Sequence, residues 1–199
     1  EPLVRKNIDH LIKLLSSIPQ ITDLSLTTNG TLLEKYAKQL KDAGLKRINI
    51  SLDTMDPKKY SYITRGGNIK DVINGIKAAM NAKFDPIKIN CVVAKDIHEK
   101  DAIDVTKFCE DNNLKIQYIT KMNLEKGYFS DVNGGHGGIC HKCNRLRLTS
   151  NGLLFPCLFN NISFNIKELG YENAILNAIR HKPSKGSFNT DVSFYQIGG

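Results

Sequence analysis

The strongest constraint on this chain is an alternation of two apolar rhythms between residues 5 and 119. Residues 5–18 carry apolar side chains at helical spacing and stop before Pro19. Helical patterns return at 31–43, 69–82 and 100–111, the first of these closed by Gly44. Between them lie short β-branched runs at 21–26, 47–52, 87–93 and 114–119. Asp56-Pro57 opens one further short helix, with proline at a tolerated first-turn position. Strands too apolar to face water, alternating with helices, predict a parallel sheet covered by helices. An open doubly wound sheet and a (β/α) barrel both satisfy the pattern. Both put working residues at the carboxyl ends of strands. The polar residues there are Thr27, Thr28, Asn29, Ser51 and Asp53. The same residue types also make turns and cap helices.

Near residue 120 the alternation stops. Residues 122–139 are rich in Gly and Asn, and a different module follows. We expect a boundary there, with one domain over 1–121 and a second over 122–199. The second module opens with Cys140-x2-Cys143-x13-Cys157. Asn151-Gly152, between Arg145–Ser150 and Leu153–Cys157, predicts a two-residue type I′ hairpin. That turn sets Cys157 opposite Leu146 and brings three thiols together. Pro156 cannot donate to a ladder, so its strand should be an edge or carry a bulge. Zinc would need a fourth ligand, which His136 or His141 could supply. An iron–sulfur cluster on three cysteines would leave one iron open. Arg145 and Arg147 share a strand face and suit a polyphosphate, or are two exposed arginines. In a regular hairpin Cys157 would lie on the other face, with Leu146, unless a bulge near Pro156 intervened. Two short helices should follow over about 164–181.

Five cysteines, an odd number, argue against a disulfide framework. Cys91 and Cys109 read as small core residues. A hydrophobic share of 41% and a charged share of 24% describe a soluble globular chain. No run approaches the ~20 apolar residues that cross a bilayer. The opening Glu1-Pro2-Leu3-Val4-Arg5 is neither a signal nor a transit peptide, and we expect a piece of something longer. The net charge of +8 favours anionic partners, but no arginine block or interleaved aromatics signals a nucleic-acid groove.

Several segments together resemble the GTP 3',8-cyclase family, the molybdenum cofactor biosynthesis protein A branch of the radical S-adenosylmethionine (SAM) enzymes. They are the run from Cys140 through Arg145-Leu146-Arg147 to Cys157, Leu26-Thr27-Thr28-Asn29-Gly30, Asn49-Ile50-Ser51-Leu52-Asp53, and the terminal Ile197-Gly198-Gly199. The resemblance implies an incomplete (β/α)6, TIM-like radical SAM barrel with a Cys-rich α+β extension closing its mouth. It implies SAM and two 4Fe-4S clusters, one near the N-terminus and one on Cys140, Cys143 and Cys157. It implies GTP contacts at Thr27, Lys88, Arg145, Leu146 and Arg147, and SAM contacts at Ser51 and Met122. Gly198 and Gly199 match a tail that assists the radical step. The implied reaction removes hydrogen from C3′ of GTP and joins that carbon to C8 of guanine.

The sequence departs from the family in several places, among them a short loop before Cys140. The first-cluster motif Cys-x3-Cys-x2-Cys does not occur, so these residues alone are not expected to generate a radical. Gln117-Tyr118-Ile119-Thr120 stands where the family carries an Arg and a Glu. A cytoplasmic protein is expected, with a pterin synthase acting downstream, a homodimer as an option, and no nucleic-acid or membrane partner. A radical SAM maturase with an auxiliary cluster, and a zinc-stabilised nucleotide-binding module, are the competing readings.

Overall fold

A computed structural model describes residues 1–121 and 140–187. The chain divides into two compact units, Glu1–Lys121 and Met122–Gly199.

In the first unit, a 3-10 turn over Pro2–Val4 leads into α1 (Ile8–Ser16). There follow β1 (Ser25–Thr28), α2 (Leu33–Asp42), β2 (Arg47–Ser51), α3 (Pro57–Ile63) and α4 (Ile69–Asn81). The unit closes with β3 (Ile87–Val93), α5 (Lys100–Asp111) and β4 (Lys115–Thr120). The strands form one sheet in the order β1-β2-β3-β4, every pair parallel. This is the α/β fold the alternation predicts: three consecutive β/α repeats and a fourth strand of a partial TIM-like barrel.

The two faces of the sheet differ in chemistry. Leu26, Ile48, Ile50, Ile87, Ile89, Cys91 and Val93 point to one side and are buried. Leu33, Ala37 and Leu40 of α2, Val72, Ile76 and Ala79 of α4, and Ala102, Val105 and Cys109 of α5 meet them in one core. Each large aliphatic side chain buried there contributes about 1.5–3 kcal/mol, so the helices are held mainly by this face. Asp56 caps α3 by accepting from Lys58 N at 2.8 Å and Lys59 N at 3.0 Å, with Pro57 at the first helical position. Asn68 caps α4 by accepting from Lys70 N at 3.1 Å.

Two boundaries differ from the sequence reading. The helix expected from residue 5 starts at Ile8, because Asn7 adopts a left-handed conformation (φ 57°) and breaks the run. The strand expected over 21–26 is Ser25–Thr28. Its length is set by pairing, since β2 opens at Arg47 opposite Ser25 and gives nothing for residues 21–23 to pair with.

The second unit has a 3-10 turn over Cys140–Lys142 and a three-stranded antiparallel sheet. Its strands are β5 (Arg147–Leu148), β6 (Leu153–Phe155) and β7 (Phe164–Asn165), and α6 (Ile166–Leu169) and α7 (Tyr171–Arg180) follow. Residues 164–165, expected to begin a helix, instead pair with β6 through Leu154↔Phe164 and Leu153↔Asn165. The strand leading to Pro156, expected to be an edge or to carry a bulge, is β6, the central one. It ends at Phe155, so Pro156 never has to supply a ladder donor. Among the described residues no helix is long and apolar enough to cross a membrane.

Candidate functional site

In the first unit the face of the sheet away from the core carries polar residues in register. Thr27, Asn49, Lys88 and Lys115 form one row across the four strands. Ser51, Asn90 and Gln117 form the next row towards the carboxyl ends. Parallel pairing puts paired residues on the same face, so Thr27, Ser51 and Lys88 share one polar surface. Asn49 Nδ2 donates to Thr27 Oγ1 at 3.3 Å, and Lys88 Nζ donates to Gln117 Oε1 at 3.2 Å. Gln117, where the resembled family carries an arginine, therefore serves here as an acceptor for Lys88.

Asn90 Oδ1 is buried and accepts no hydrogen bond among the described residues. A buried amide oxygen without a donor is costly. Its place beside Ser51 makes it fit for a ligand that brings a donor. The sequence reading missed Asn90, because an isolated Asn in a strand pattern carries no signal of its own.

The other polar residues at these strand ends hold the backbone. Thr28 Oγ1 donates to Glu1 Oε1 at 2.7 Å, and Asn29 N donates to Glu1 Oε2 at 2.7 Å. Glu1 is thereby fixed at the carboxyl end of β1. Asn29 Oδ1 accepts from Thr31 N at 3.0 Å, an ordinary turn contact. Asp53 Oδ1 accepts from Val92 N at 2.8 Å and ties the end of β2 to β3. Burial raises the Asp53 carboxyl above its usual range against the pull of that N–H, and the charge of Asp101 adds to the rise.

In the second unit the hairpin turns by a different route from the expected two-residue one. Gly152 N donates to Thr149 O at 3.0 Å, closing a turn over Ser150 and Asn151. Gly152 then takes φ +96°, and Thr149 N donates to Leu153 O at 2.9 Å. The Thr149 hydroxyl also accepts from Leu153 N at 2.9 Å. This is a three-residue loop with a glycine bulge. The ladder pairs are Arg147↔Phe155 and Leu148↔Leu154. The register is thus one residue from that expected, and a one-residue slip exchanges faces.

Cys157 therefore does not lie opposite Leu146. The register, continued past its last pair, runs it to Arg145. Leu153, Phe155 and Cys157 share a face and pack with Leu158 and Phe159. Leu146, Leu154 and Phe164 share the other and pack on Ala174 and Ala178 of α7. The bulge that reconciles Cys157 with the arginine face is at Gly152, not at Pro156. Because the Leu146 side chain is spent on α7, a ligand contact from Leu146 would have to use its main chain.

Electrostatics at this face centre on Cys143. Burial opposes its ionisation most, but the Arg145 N–H and the charges of Lys182, Arg145 and Arg147 hold the thiol below its ordinary range. Half-buried Arg147 is lowered by burial and by Arg145, against the opposite pull of Cys143 and Cys157. Cys140 joins through the 3-10 turn, where Cys143 N donates to Cys140 O at 3.0 Å. All three thiols are free. Among the described residues no group of three His, Cys, Asp or Glu side chains stands close enough to hold a single metal ion. A cluster asks for a wider set, because each thiolate binds a different iron. Cys143 and Cys157 act on half-buried Arg147, and Cys140 adjoins Cys143 through the turn; free thiols fit such a group in donor chemistry.

Lys182 was also missed. Its ammonium donates to Arg145 O at 2.7 Å and to Pro156 O at 2.6 Å. A lysine just past a helix end reads in sequence as an ordinary cap. Cys91 and Cys109 lie in the first unit's core, as expected, and cannot serve a cluster. Met122, His136, Gly198 and Gly199 lie outside the described residues.

A parallel β/α sheet with polar residues along one face and at its carboxyl ends is the frame of one large enzyme class. The sequence profile of the Radical SAM superfamily matches residues 1–109, more than half of the chain, and this is a radical SAM protein. That superfamily uses a 4Fe-4S cluster and SAM. Relatives define the branch. A GTP 3',8-cyclase of Alkaliphilus metalliredigens is 34% identical over 253 residues, covering 100% of this chain and 79% of the relative. One of Petrotoga mobilis is 33% identical over 256 residues, again covering 100% and 79%. One of Moorella thermoacetica is 36% identical over 212 residues, covering 84% and 66%. The chain belongs to the GTP 3',8-cyclase family. The first alignment runs over 253 positions against 199 residues, so it passes over segments of the relative that this chain does not carry.

Proposed function

We propose that this protein works as a GTP 3',8-cyclase, converting GTP to 3',8-cyclo-7,8-dihydro-GTP at the head of molybdenum cofactor synthesis in the cytoplasm. The observation that carries the reading is the hairpin register, which runs Cys157 to the side of Arg145 and Arg147. In that arrangement cationic groups for a triphosphate adjoin thiols for a cluster.

In the first unit, Ser51 contacts SAM, with Asn90 Oδ1 accepting a hydrogen bond beside it. Thr27 and Lys88, one row below, contact GTP. In the second unit, Cys140, Cys143 and Cys157 hold a 4Fe-4S cluster, whose open iron would take the guanine base. Arg145 and Arg147 bind phosphate, and Leu146 contributes its main chain. Met122 contacts SAM, and Gly198 and Gly199 assist the radical step. SAM with a first cluster would supply the radical that takes hydrogen from C3′. The residues of this chain position the nucleotide and balance its charge. The motif for that first cluster does not occur in these 199 residues. The product passes to a pterin synthase.

Anaerobic reconstitution of this chain with iron and sulfide tests the reading. About four irons per chain, with a visible or electron-paramagnetic spectrum that changes on adding GTP, are expected. Cys157→Ser should lose the cluster. Bound zinc with indifference to GTP would replace the reading by a structural module.

A further inference from the structure

The β5–β6 ladder ends at Arg147↔Phe155. The cysteines lie beyond that pair: Cys143 precedes β5, and Cys157 follows β6. Pro156 has no N–H with which to extend the ladder. At this point the Lys182 ammonium donates to Arg145 O at 2.7 Å and to Pro156 O at 2.6 Å. The two carbonyls are on opposite limbs. The first lies two residues after Cys143, and the second belongs to the peptide that leads into Cys157. One cation therefore joins the segments that carry the two thiols.

The ordinary role of a lysine past a helix end is to satisfy that helix's last carbonyls. Lys182 meets that role with its main chain, since Lys182 N donates to Ile179 O at 3.2 Å. Its side chain reaches a different segment. Charge-assisted bonds of this kind are stronger than neutral ones. The charge also sits near Cys143, on which its field acts.

We propose that Lys182 is a positioning residue of the cysteine site, setting the spacing of Cys143 and Cys157 and supplying a fixed positive charge beside the group they hold. The inference rests on the reading that Cys140, Cys143 and Cys157 bind an iron–sulfur cluster. Lys182 acts through the two peptides it grips. Outer partners that fix ligands control how firmly a metal is held. A positive charge nearby favours the reduced, more negative cluster and so raises its potential.

The test compares the reconstituted wild-type chain with Lys182→Met and Lys182→Arg. Three quantities are read: iron per chain, the rate of iron loss to a chelator, and the midpoint potential from a redox titration. Lys182→Met should lose iron about tenfold faster or more and titrate at lower potential. Lys182→Arg keeps the charge and should keep the potential. A Met variant matching the wild type in both iron loss and potential overturns the proposal, even if its melting temperature falls. Should the Met variant not fold by circular dichroism, Lys182→Gln is compared with Lys182→Arg, and equal potentials overturn it. A wild-type chain that takes up no iron is a separate failure: it removes the cluster reading, and this inference goes with it.

Discussion

Cysteine placement separates chemistry from packing at the scale of single residues. Cys91 on β3 and Cys109 on α5 lie in the core between sheet and helices, and burial pushes both thiols up to about 12, with the charge of Asp53 adding to the rise at Cys91. Cys143 is shifted the other way by the Arg145 N–H and three nearby cations. The thiolate is the reactive form. A lowered value raises its share at a given pH, and a raised value abolishes that share near neutrality. In reduced, iron-free protein near neutral pH, limited iodoacetamide should label Cys143 well ahead of Cys91 and Cys109. The labelling curve of Cys143 should also rise at lower pH than that of an ordinary thiol. Peptide mass mapping checks both. Early labelling of Cys91 or Cys109 in folded protein would contradict the core assignment. The core role of these two was legible from their apolar and helical surroundings. The reactivity of Cys143 was not, because the Arg145 N–H that favours its thiolate is a matter of local backbone geometry and Lys182 is distant in sequence.

Two glycines act at the scale of elements, and their geometry ranks them. Gly152 adopts φ +96°, and an added Cβ would lie 3.3 Å from Ile166 Cγ1, a side-chain atom able to give way. Gly152→Ala should therefore cost mainly backbone strain, about 1–2 kcal/mol, read as a lower denaturation midpoint. At Gly75, in the middle of α4, an added Cβ would stand 2.2 Å from Gly30 O and 2.9 Å from Leu33 Cβ. A backbone carbonyl cannot step aside without moving the turn after β1. Gly75→Ala should be the more damaging change, at about 3 kcal/mol, although alanine is the better helix former by about 1 kcal/mol. A stable Gly75→Ala protein would mean that α4 does not approach the turn this closely.

The β/α alternation was legible because burial on one sheet face imposes long apolar runs. The hairpin was legible as a hairpin, but not in register. Asn151-Gly152 fits a two-residue turn and a bulged three-residue turn equally. The Thr149 hydroxyl, which accepts from Leu153 N, favours the second. With the bulge at Gly152, that contact goes with the register that sets the face of Cys157.

Charge is distributed unevenly at the scale of the whole molecule, and this allows two electrostatic effects to be separated. The chain carries +8 overall, yet most of its basic side chains are surface lysines such as Lys38, whose side chain is 84% exposed. Charges of that kind act at long range and are screened within about 10 Å at 0.1 M salt and about 3 Å at 1 M. Arg147 differs in being half-buried beside Cys143 and Cys157, where screening is weak. A hydrogen bond from a charged group to phosphate is worth about 1.5–3 kcal/mol, or roughly 10- to 150-fold in affinity. If the proposed nucleotide role holds, Arg147→Ala in the reconstituted chain should weaken GTP binding by that factor at both low and high salt. Lys38→Ala should change it little, and only at low salt. Titrations of wild type and both variants at two ionic strengths distinguish the cases. An Arg147→Ala deficit that disappears at high salt would place that arginine among the general surface charges. A deficit that persists, with guanosine losing much less than GTP, would locate its partner on the phosphates.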